Sequence, residues 1–340
     1  MHIERLSPNE AVGHILMHSV VDAEGRKAIK KGTRLTPEHA DRLHALGIET
    51  VEVAVLAPDD VHEDAAAERL AAALATPTIT MTRGVGGRIN LQTRVLGVLR
   101  IEPARLLALN AIYGITLATL PNYAVVAPER GRQQIATLKI IPYAIPNDLL
   151  EAAERLARAT PRILDVHPLP HWRVALLISG DPAAHARLQR QFEPPTRTRV
   201  QQLGSDLATV VCVPHTEEAI AEAAGALLAT HDALVLAGQT SIMDWDDVAL
   251  RALRAVGAEV AVHGAPVEPG NLLALAYWHS KPIVCAPGCA KSLSRNVVDL
   301  VLPRLFIGER LGPREAAALA MGGLLREERR SVAKAESNLS

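Results

Sequence analysis

The chain has 340 residues, of which 49% are hydrophobic and 21% charged, and this ordinary globular usage excludes a disordered, collagen-like or disulfide-stapled protein. A single hydrophobic core stops growing at roughly 250–300 residues, so we expect two or three compact units. The 36 Lys and Arg residues balance 37 Asp and Glu residues, and no long basic run occurs. We therefore expect no nucleic-acid partner, because nucleic-acid-binding proteins carry a positive surface for phosphate.

The cysteines and the amino terminus indicate the compartment. Cys212, Cys285 and Cys289 are odd in number and have neither a zinc nor a redox spacing, which is typical of a reducing environment. The opening residues lack the apolar core of a signal peptide, and every stretch of 18 residues contains a charge or a helix breaker. The sequence therefore predicts a cytoplasmic protein with no membrane partner.

Residues 1–76 are predicted to form a small α+β unit with a connecting helix. Thr36 is a natural N-cap that is followed by Pro37, and Gly47 ends the same helix as a C-cap. An alternating segment from Ile48 to Leu56 then predicts a strand. The Ala-rich segment 62–76 keeps the helical period without a breaker.

Residues 77–164 are predicted to form a β-rich middle domain with a linker helix. Short runs rich in β-branched residues are separated by Gly, Pro and Asn between Pro77 and Pro146. A helix is predicted from about Asn147 to Ala159, and a Pro-containing stretch follows it. We place the main domain boundary near residue 165.

Residues 165–310 alternate strand and helix several times, and a helix of about 312–327 with a polar tail is predicted within 311–340. Near-continuous apolar runs of five to eight residues each lead towards a helix, which indicates strands that are covered on both faces. This pattern predicts a doubly wound, mostly parallel α/β sheet. Ligands of such sheets lie beyond the carboxyl ends of the strands, so we expect the loops 179–181, 238–247 and 287–292 to line one crevice.

The loop 238–247 leaves a buried strand and opens a helix. Gly238 permits a tight turn, and the hydroxyls of Thr240 and Ser241 can bind phosphate oxygens. Three acids follow, and they would repel a bare phosphate but hold one through Mg²⁺; they are Asp244, Asp246 and Asp247. The alternative is that Asp244 or Ser241 only caps the helix and the following acids complement its dipole.

Three further turns lie in the same region. Gly288 permits close backbone approach, and Lys291 with Ser292 adds a cation and a hydroxyl at a predicted helix start, as an anion cradle needs; the alternative is a tight turn with a solvated lysine. The spacing of a P-loop is absent. Two other turns complete the set, and the alternative for the second of them is that its Pro-Gly pair is only a turn signal. Their candidate ligand-binding residues are Ser179, Gly180 and Asp181 in the first and Pro269 and Gly270 in the second. Pro287 is the further candidate in the turn at Gly288.

The order of these loops resembles the molybdopterin-binding domain of molybdenum insertases of the MoeA and gephyrin type and of MogA-like adenylyltransferases. Insertases show a Thr-Gly-Asp-Glu type loop, then Gly-Gly-x-Ser-x-Gly-Asp-x-Asp, then Pro-Gly-Lys-Pro and then Leu-Pro-Gly-Asn-Pro. The resemblance covers about 165–310, and the amino-terminal segment is more loosely similar to the opening of insertases. The corresponding stretches here are 179–181, 238–246, 269–272 and 286–290.

The resemblance implies that the crevice binds molybdopterin, that Asp244 and Asp246 are the catalytic acids associated with Mg²⁺ and molybdate, and that Ser241 is the hydroxyl of that loop. Insertases use adenylylated molybdopterin and release AMP, and those of this resemblance form homodimers. The sequence departs from the pattern at four positions that are glycine, lysine or asparagine in the family. These positions are Gln239, Met243, Asn271 and Cys289.

Three functions follow from the resemblance. The first is a Mg²⁺-dependent transferase that inserts molybdate into adenylylated molybdopterin by electrostatic stabilisation of phosphoanhydride cleavage. The second is a non-catalytic carrier that hands the cofactor to a molybdoenzyme apoprotein, which the departures favour. The third is MogA-like adenylylation of the pterin, but no residues for ATP contacts are evident in the sequence.

Overall fold

The computed structural model describes residues 1–128 and 131–325. The chain divides into two compact units, Met1–His167 and Pro168–Ser340. The predicted tail lies outside the described residues from 326 onward. The four-part division 1–76, 77–164, 165–310 and 311–340 stays a prediction.

The first unit contains fourteen strands and four helices among its described residues. Its strands are β1 (His2–Leu6), β2 (Ile15–Leu16), β3 (Val20–Val21), β4 (Lys27–Ile29), β5 (Val51–Val55), β6 (Asp60–His62), β7 (Thr80–Arg83), β8 (Arg88–Thr93), β9 (Gly97–Ile101), β10 (Ile115–Thr119), β11 (Val125–Val126), β12 (Gln133–Ile140), β13 (Ala144–Pro146) and β14 (Leu164–Pro168). Its helices are α1 (Pro37–Ala45), α2 (Glu63–Leu74), α3 (Pro103–Asn110) and α4 (Asn147–Arg158).

Two hydrophobic cores lie within this unit. The first joins α1 to the antiparallel sheet β1-β5-β2, and Leu43 of the helix and Val53 of the central strand are fully buried there. The second core contains α2 and α4 together with the sheet β10-β12-β8-β7. The predicted α+β and β-rich architecture is therefore confirmed. Helix α2, assigned above to the amino-terminal unit as a connector, packs within the second core.

The second unit contains six strands and five α-helices among its described residues. Its strands are β15 (Arg173–Ser179), β16 (Asp206–Val213), β17 (Ala233–Gly238), β18 (Glu259–His263), β19 (Ala274–Trp278) and β20 (Lys281–Cys285). Its helices are α5 (His185–Gln202), α6 (Glu217–Thr230), α7 (Val248–Ala255), α8 (Val297–Phe306) and α9 (Pro313–Ala317).

These strands form one sheet in the order β16-β15-β17-β20-β19-β18. The first four strands are mutually parallel, whereas β19 runs antiparallel to both β20 and β18. Alternate residues of the strands point to opposite faces: Leu176 packs with residues of α5 and α8, and Leu177 packs with residues of α6 and α7. The predicted doubly wound, mostly parallel sheet is confirmed.

The end of the chain differs from the sequence-based expectation. The sequence predicts a helix over about 312–327, but α9 ends at Ala317 and a short 3₁₀ segment, Ala318–Ala320, follows it. Gly322 then takes a φ of +89°, which ends helical geometry. Within the two described ranges, no helix combines the length and the apolar character that a membrane crossing requires.

Candidate functional site

The carboxyl ends of three parallel strands meet at one edge of the second unit's sheet. Ser179, the last residue of β15, pairs in register with Gly238, the last residue of β17. The backbone N–H of Ala286, just after β20, donates to the carbonyl of Leu236 at 2.8 Å. Residues that are far apart in the sequence are thus brought together where a doubly wound sheet binds its ligands.

A narrow recess lies at this edge, and its enclosed space of about 10 Å³ admits roughly one water-sized group. It includes the ends of β15, β17 and β20 and the start of the loop that follows each. Three of the residues predicted to bind the ligand, Ser179, Gly238 and Thr240, line it, whereas Asp244 and Lys291 do not. Its other lining residues are His215, Leu236, Ala237, Ile242, Ala249, Leu272 and Ala286.

The loop after β15 is held by the side chain of Gln239. The backbone N–H of Gln239 donates to the Ser179 carbonyl at 2.9 Å, and its side-chain Oε1 accepts from the backbone N–H of Asp181, also at 2.9 Å. A Cβ at Gly180 would lie 2.6 Å from Cδ1 of Leu188, so a larger residue there would require the Leu188 side chain to move. The Asp181 carboxylate accepts from the N–H of Ala183 at 2.8 Å and caps a short 3₁₀ turn.

The loop after β17 divides into a part at the recess and a part near solvent. A Cβ at Gly238 would lie 2.9 Å from the Thr240 carbonyl oxygen, so glycine permits the turn that places Thr240 at the recess. Ser241 faces the next loop, since its Oγ lies 3.7 Å from the position that a Cβ of Gly288 would take. Thr240 and Ser241 of the loop after β17 therefore both lie near the carboxyl ends of the strands.

The acids of this loop lie in an exposed turn. The Asp244 carboxylate accepts from the N–H of Asp246 at 2.7 Å, and Asp246 pairs with Arg251 at 3.4 Å. Asp247 is the N-cap of α7, because its Oδ1 accepts from the N–H of Ala249 at 2.9 Å. The alternative that Asp244 or Ser241 caps this helix is therefore wrong.

The loop after β20 begins with a four-residue 3₁₀ segment, Gly288–Lys291, and α8 begins only at Val297. The helix start expected at Lys291 and Ser292 is therefore wrong. Asn296 caps α8 through the N–H of Val298 at 3.0 Å, which ends the irregular loop. The Nζ of Lys291 lies 5.0 Å from the centroid of the Phe192 ring, so this cation is directed onto α5.

The Pro269–Gly270 turn packs against α8. The N–H of Val297 donates to the Pro269 carbonyl at 3.2 Å, and Gly270 has a φ of +135°. A Cβ at Gly270 would lie 2.4 Å from Cβ of Val297. This glycine is explained by close packing, and the residue of the turn that reaches the recess is Leu272. Pro287 precedes the 3₁₀ segment and is buried.

His215 is a recess residue that the sequence analysis missed. It follows β16 by two residues, and its Nδ1 lies 3.0 Å from the Ser179 Oγ. The loop after β16 was not among the predicted ligand-binding loops, although β16 ends at the same edge as its neighbour β15. A histidine beyond the carboxyl end of a parallel strand is the signal that would have identified it.

The described part of the chain contains no group of three His, Cys, Asp or Glu side chains arranged to hold a metal ion. Asp244 and Asp246 nevertheless lie in one turn, and each carboxylate has more than one lone pair to offer.

Burial raises the pKa of the Cys289 thiol, which disfavours a reactive thiolate beside Gly288.

Comparison with known families matches residues 175–306 to the family described as a probable molybdopterin binding domain. Residues 5–55 match a domain of unknown function (DUF8806). Comparison with curated proteins gives no significant match. The match over 175–306 confirms the resemblance of this part of the chain to molybdopterin-binding domains.

Several solved structures are similar to this chain at low identity. A molybdenum cofactor biosynthesis protein from Pyrococcus furiosus is 13% identical over 90% of this chain, with a TM-score of 0.23, and the chain spans 62% of that protein's length. A molybdopterin biosynthesis MoeA protein from Pyrococcus horikoshii is 13% identical, with a TM-score of 0.31, over 90% of this chain and 75% of that one. A putative molybdenum cofactor biosynthesis protein from Corynebacterium diphtheriae is 18% identical, with a TM-score of 0.30, over 42% of this chain and 100% of that one.

Proposed function

We propose that this protein binds molybdopterin at the carboxyl edge of the second unit's sheet and inserts molybdate into its adenylylated form. The observation that carries the proposal is that Ser179, Gly238 and Thr240 line one recess within the region that matches a probable molybdopterin binding domain. The proposal places both hydroxyls on oxygens of the ligand's phosphate, since hydroxyl groups donate readily to charged acceptors.

The absence of a side chain at Gly238 leaves the space between Thr240 and Ser179 open to a ligand. A side chain at position 238 would meet the Thr240 carbonyl at 2.9 Å and the Ser179 Oγ at 3.4 Å, and it would separate the two hydroxyl-bearing residues from the ligand. We expect these donors to bind and orient the phosphate, while Leu236, Ile242 and Leu272 exclude water from one side of it.

Asp244 and Asp246 fit a magnesium ion that is completed by ligand oxygens. Mg²⁺ usually takes one or two carboxylates together with phosphate oxygens and water, and two carboxylates two residues apart satisfy the protein's share. When bound, the ion neutralises charge on the phosphoanhydride of the adenylylated ligand. The acids would hold it in the exposed turn that follows the recess residue Ile242, and Arg251 limits the freedom of Asp246 by its ion pair.

A non-catalytic carrier is the second candidate, and one observation favours it. Gln239 stands where insertases have the second glycine of a pair, and its side chain binds the backbone of Asp181. That contact closes a stretch of backbone that a glycine would leave open to the ligand. A carrier needs the recess but does not need the phosphoanhydride to be cleaved.

Release of AMP distinguishes the two candidates. The purified chain is incubated with adenylylated molybdopterin, Mg²⁺ and molybdate, and AMP is quantified by chromatography. The insertase proposal expects AMP release that EDTA and Asp244→Asn abolish. Asp232→Asn is the matched control, because this carboxylate binds the N–H of Arg173 at the opposite edge of the sheet, and it should keep full activity.

Binding without AMP release supports the carrier, and absence of molybdopterin binding overturns both candidates. Thr240→Val should weaken molybdopterin binding about tenfold, the effect of one hydrogen bond to a charged group. Thr230→Val is its control, because Thr230 ends α6 at the amino edge of the sheet.

We further propose that the protein acts in the cytoplasm as a homodimer and delivers the cofactor to a molybdoenzyme apoprotein. Light scattering tests the homodimer.

A further inference from the structure

Ser179 and His215 form a hydrogen bond to each other and both line the recess. Ser179 is 1% exposed, and its Oγ lies 3.0 Å from Nδ1 of His215. A serine hydroxyl has one proton to donate and two lone pairs to accept with. Whether that proton is directed into the recess therefore depends on which of the two partners donates in this bond.

Two arrangements are chemically possible. If Nδ1 carries no proton, Ser179 donates to it, and only oxygen lone pairs are left to face a ligand. If Nδ1 carries the proton, His215 donates to the Ser179 oxygen, and the serine proton is free for an acceptor in the recess. An anionic oxygen is repelled by the first arrangement and accepts a hydrogen bond in the second.

The backbone on both sides holds the two side chains in place. Ser179 is bonded on one side through its carbonyl to the N–H of Gln239, and the N–H of Gly180 donates to the Val213 carbonyl at 3.0 Å on the other. Beyond His215, Thr216 caps α6 by accepting from the N–H of Ala219. His215 therefore lies between the end of β16 and the N-cap of α6, and these two fixed elements hold its ring beside Ser179.

We propose that His215 is a positioning residue that donates from Nδ1 to Ser179 and so directs the serine proton toward an oxyanion, a phosphate monoester, in the recess. This inference rests on the proposed function for the identity of the ligand. Ser179 and His215 both line the recess, so the ligand's oxygen and the Ser179 hydroxyl meet there. The site is therefore prepared for the anion by the His215 ring, as a neutral donor or an imidazolium, and not by the lysine of the predicted anion cradle.

The state of the ring is measured by ¹⁵N NMR of the histidine side chains of the full chain. The His215 signals are assigned as those missing from His215→Asn, and inorganic phosphate is the probe. The inference expects phosphate to bind and the saturated protein to carry a proton on Nδ1 of His215. A saturated complex in which Nδ1 is an unprotonated acceptor, or a failure of phosphate to bind, overturns it.

Affinity for molybdopterin provides the second measurement. His215→Leu removes the donor and should weaken binding roughly tenfold, whereas His215→Asn keeps an amide N–H near the Nδ1 position and should restore most of the affinity. In the Ser179→Ala background, His215→Leu should have no further effect. A purely structural histidine would weaken binding equally in both backgrounds and would not be rescued by asparagine.

These outcomes separate the inference from the proposed function. If wild-type protein binds molybdopterin and His215→Leu binds it equally well, the inference is wrong and the proposed function stands. If molybdopterin does not bind but phosphate binds with Nδ1 protonated, the proposed function is wrong and the positioning role stands. Each variant's folding is checked by tryptophan fluorescence, because Trp172, Trp245 and Trp278 all lie in the second unit.

Discussion

Arg199 and Asp299 form a two-bond ion pair between α5 and α8, with Nε to Oδ1 at 2.8 Å and Nη2 to Oδ2 at 3.2 Å. The same guanidinium donates to the carbonyls of Ala290, Ser292 and Ser294. The Arg199 side chain is 5% exposed. One buried arginine therefore satisfies the backbone of the loop after β20, which has little regular structure of its own.

Arg199→Met should destabilise the second unit by about 3 kcal/mol, because it leaves three carbonyls and a carboxylate without their donor. Urea unfolding followed by tryptophan fluorescence measures this loss. Arg251→Met is the control, since Arg251 binds Glu217 and Asp246 while it is 40% exposed, and pairs of this kind contribute at most about 1 kcal/mol. Equal losses in the two variants would contradict the structural role of Arg199.

Gly270→Ala should be more destabilising than the loss of a positive-φ glycine alone. Its new methyl group would meet Val297 at 2.4 Å. Gly257 has a φ of +82°, and no atom lies within 4 Å of the position that a Cβ would take there, so Gly257→Ala measures the penalty of a left-handed backbone without a clash, about 1 kcal/mol. Gly270→Ala should cost roughly 1–3 kcal/mol beyond that through overpacking. Equal urea midpoints for the two variants would show that the Gly270 turn moves to accommodate the methyl group, and would contradict the predicted clash with Val297.

Cys285 should make the second unit less stable as the pH rises above about 8.5, the ordinary pKa of a thiol. Burial raises its pKa to about 12, so the folded protein keeps a proton that the unfolded chain loses. The unfolded state then binds fewer protons, and the free energy of unfolding falls with pH until the folded thiol also ionises.

Cys285→Ala should therefore show a shallower fall in unfolding free energy than wild-type protein as the pH rises from about 8.5 to about 10.5, whatever its loss of packing at neutral pH. Iodoacetamide should also modify Cys212, which is only partly buried, before Cys285. Parallel stability curves for the two proteins, or early modification of Cys285 found by peptide mass spectrometry, would contradict this prediction.

Lys139→Met should destabilise the first unit by about 3 kcal/mol, because a buried carboxylate that loses its partner is costly. The Lys139 ammonium donates to the Glu63 carboxylate at 2.9 Å and also to the carbonyls of Gly86 and Ile140. The Glu63 side chain is 9% exposed. Adding Glu63→Gln should recover part of the loss.

Hydrogen exchange of α2 and β12 measures this effect, because the first unit contains no tryptophan. Arg155→Met is the control, since Arg155 and Glu151 are exposed and 4.0 Å apart on α4, and its effect should stay below about 0.5 kcal/mol. Unchanged exchange in Lys139→Met would show that Glu63 is adequately solvated without the lysine.

The strands of the second unit's six-stranded sheet could largely be predicted, because buried parallel strands are continuous apolar runs. β15 and β17 begin and end within about a residue of the runs that indicate them. β19 was missed, although it is equally apolar. It joins β20 through a two-residue turn in which His279 has a φ of +56°, and this left-handed conformation occurs without the glycine that usually signals such a turn.

Two helices were missed for different reasons. α5 continues through Pro194 and Pro195, and a pair of prolines predicts the end of a helix because each removes a backbone donor. α3 lies among the short strands of the first unit and has only eight residues, too few for a clear helical period. Tertiary packing, such as the burial of Leu109, decides its conformation.

The candidate site could be predicted to the level of its loops but not of its side chains. Strand order placed Ser179 and Gly238 at the same edge, since parallel strands share a direction. Whether an acid caps a helix or faces a ligand depends on a shift of a few residues, and Asp247 rather than Asp244 caps α7. His215 follows the carboxyl end of β16 at the same edge, so the rule that located Ser179 applies to it as well.

The reversed direction of β19 has a practical consequence for labelling this protein. Because β19 runs against its neighbours, the residues that precede it, including Leu272, are at the recess, while its turn to β20, formed by His279 and Ser280, lies at the far edge of the sheet. A fluorophore or affinity handle inserted between those two residues sits at the opposite ends of the strands from the recess, so a label there leaves the recess unobstructed.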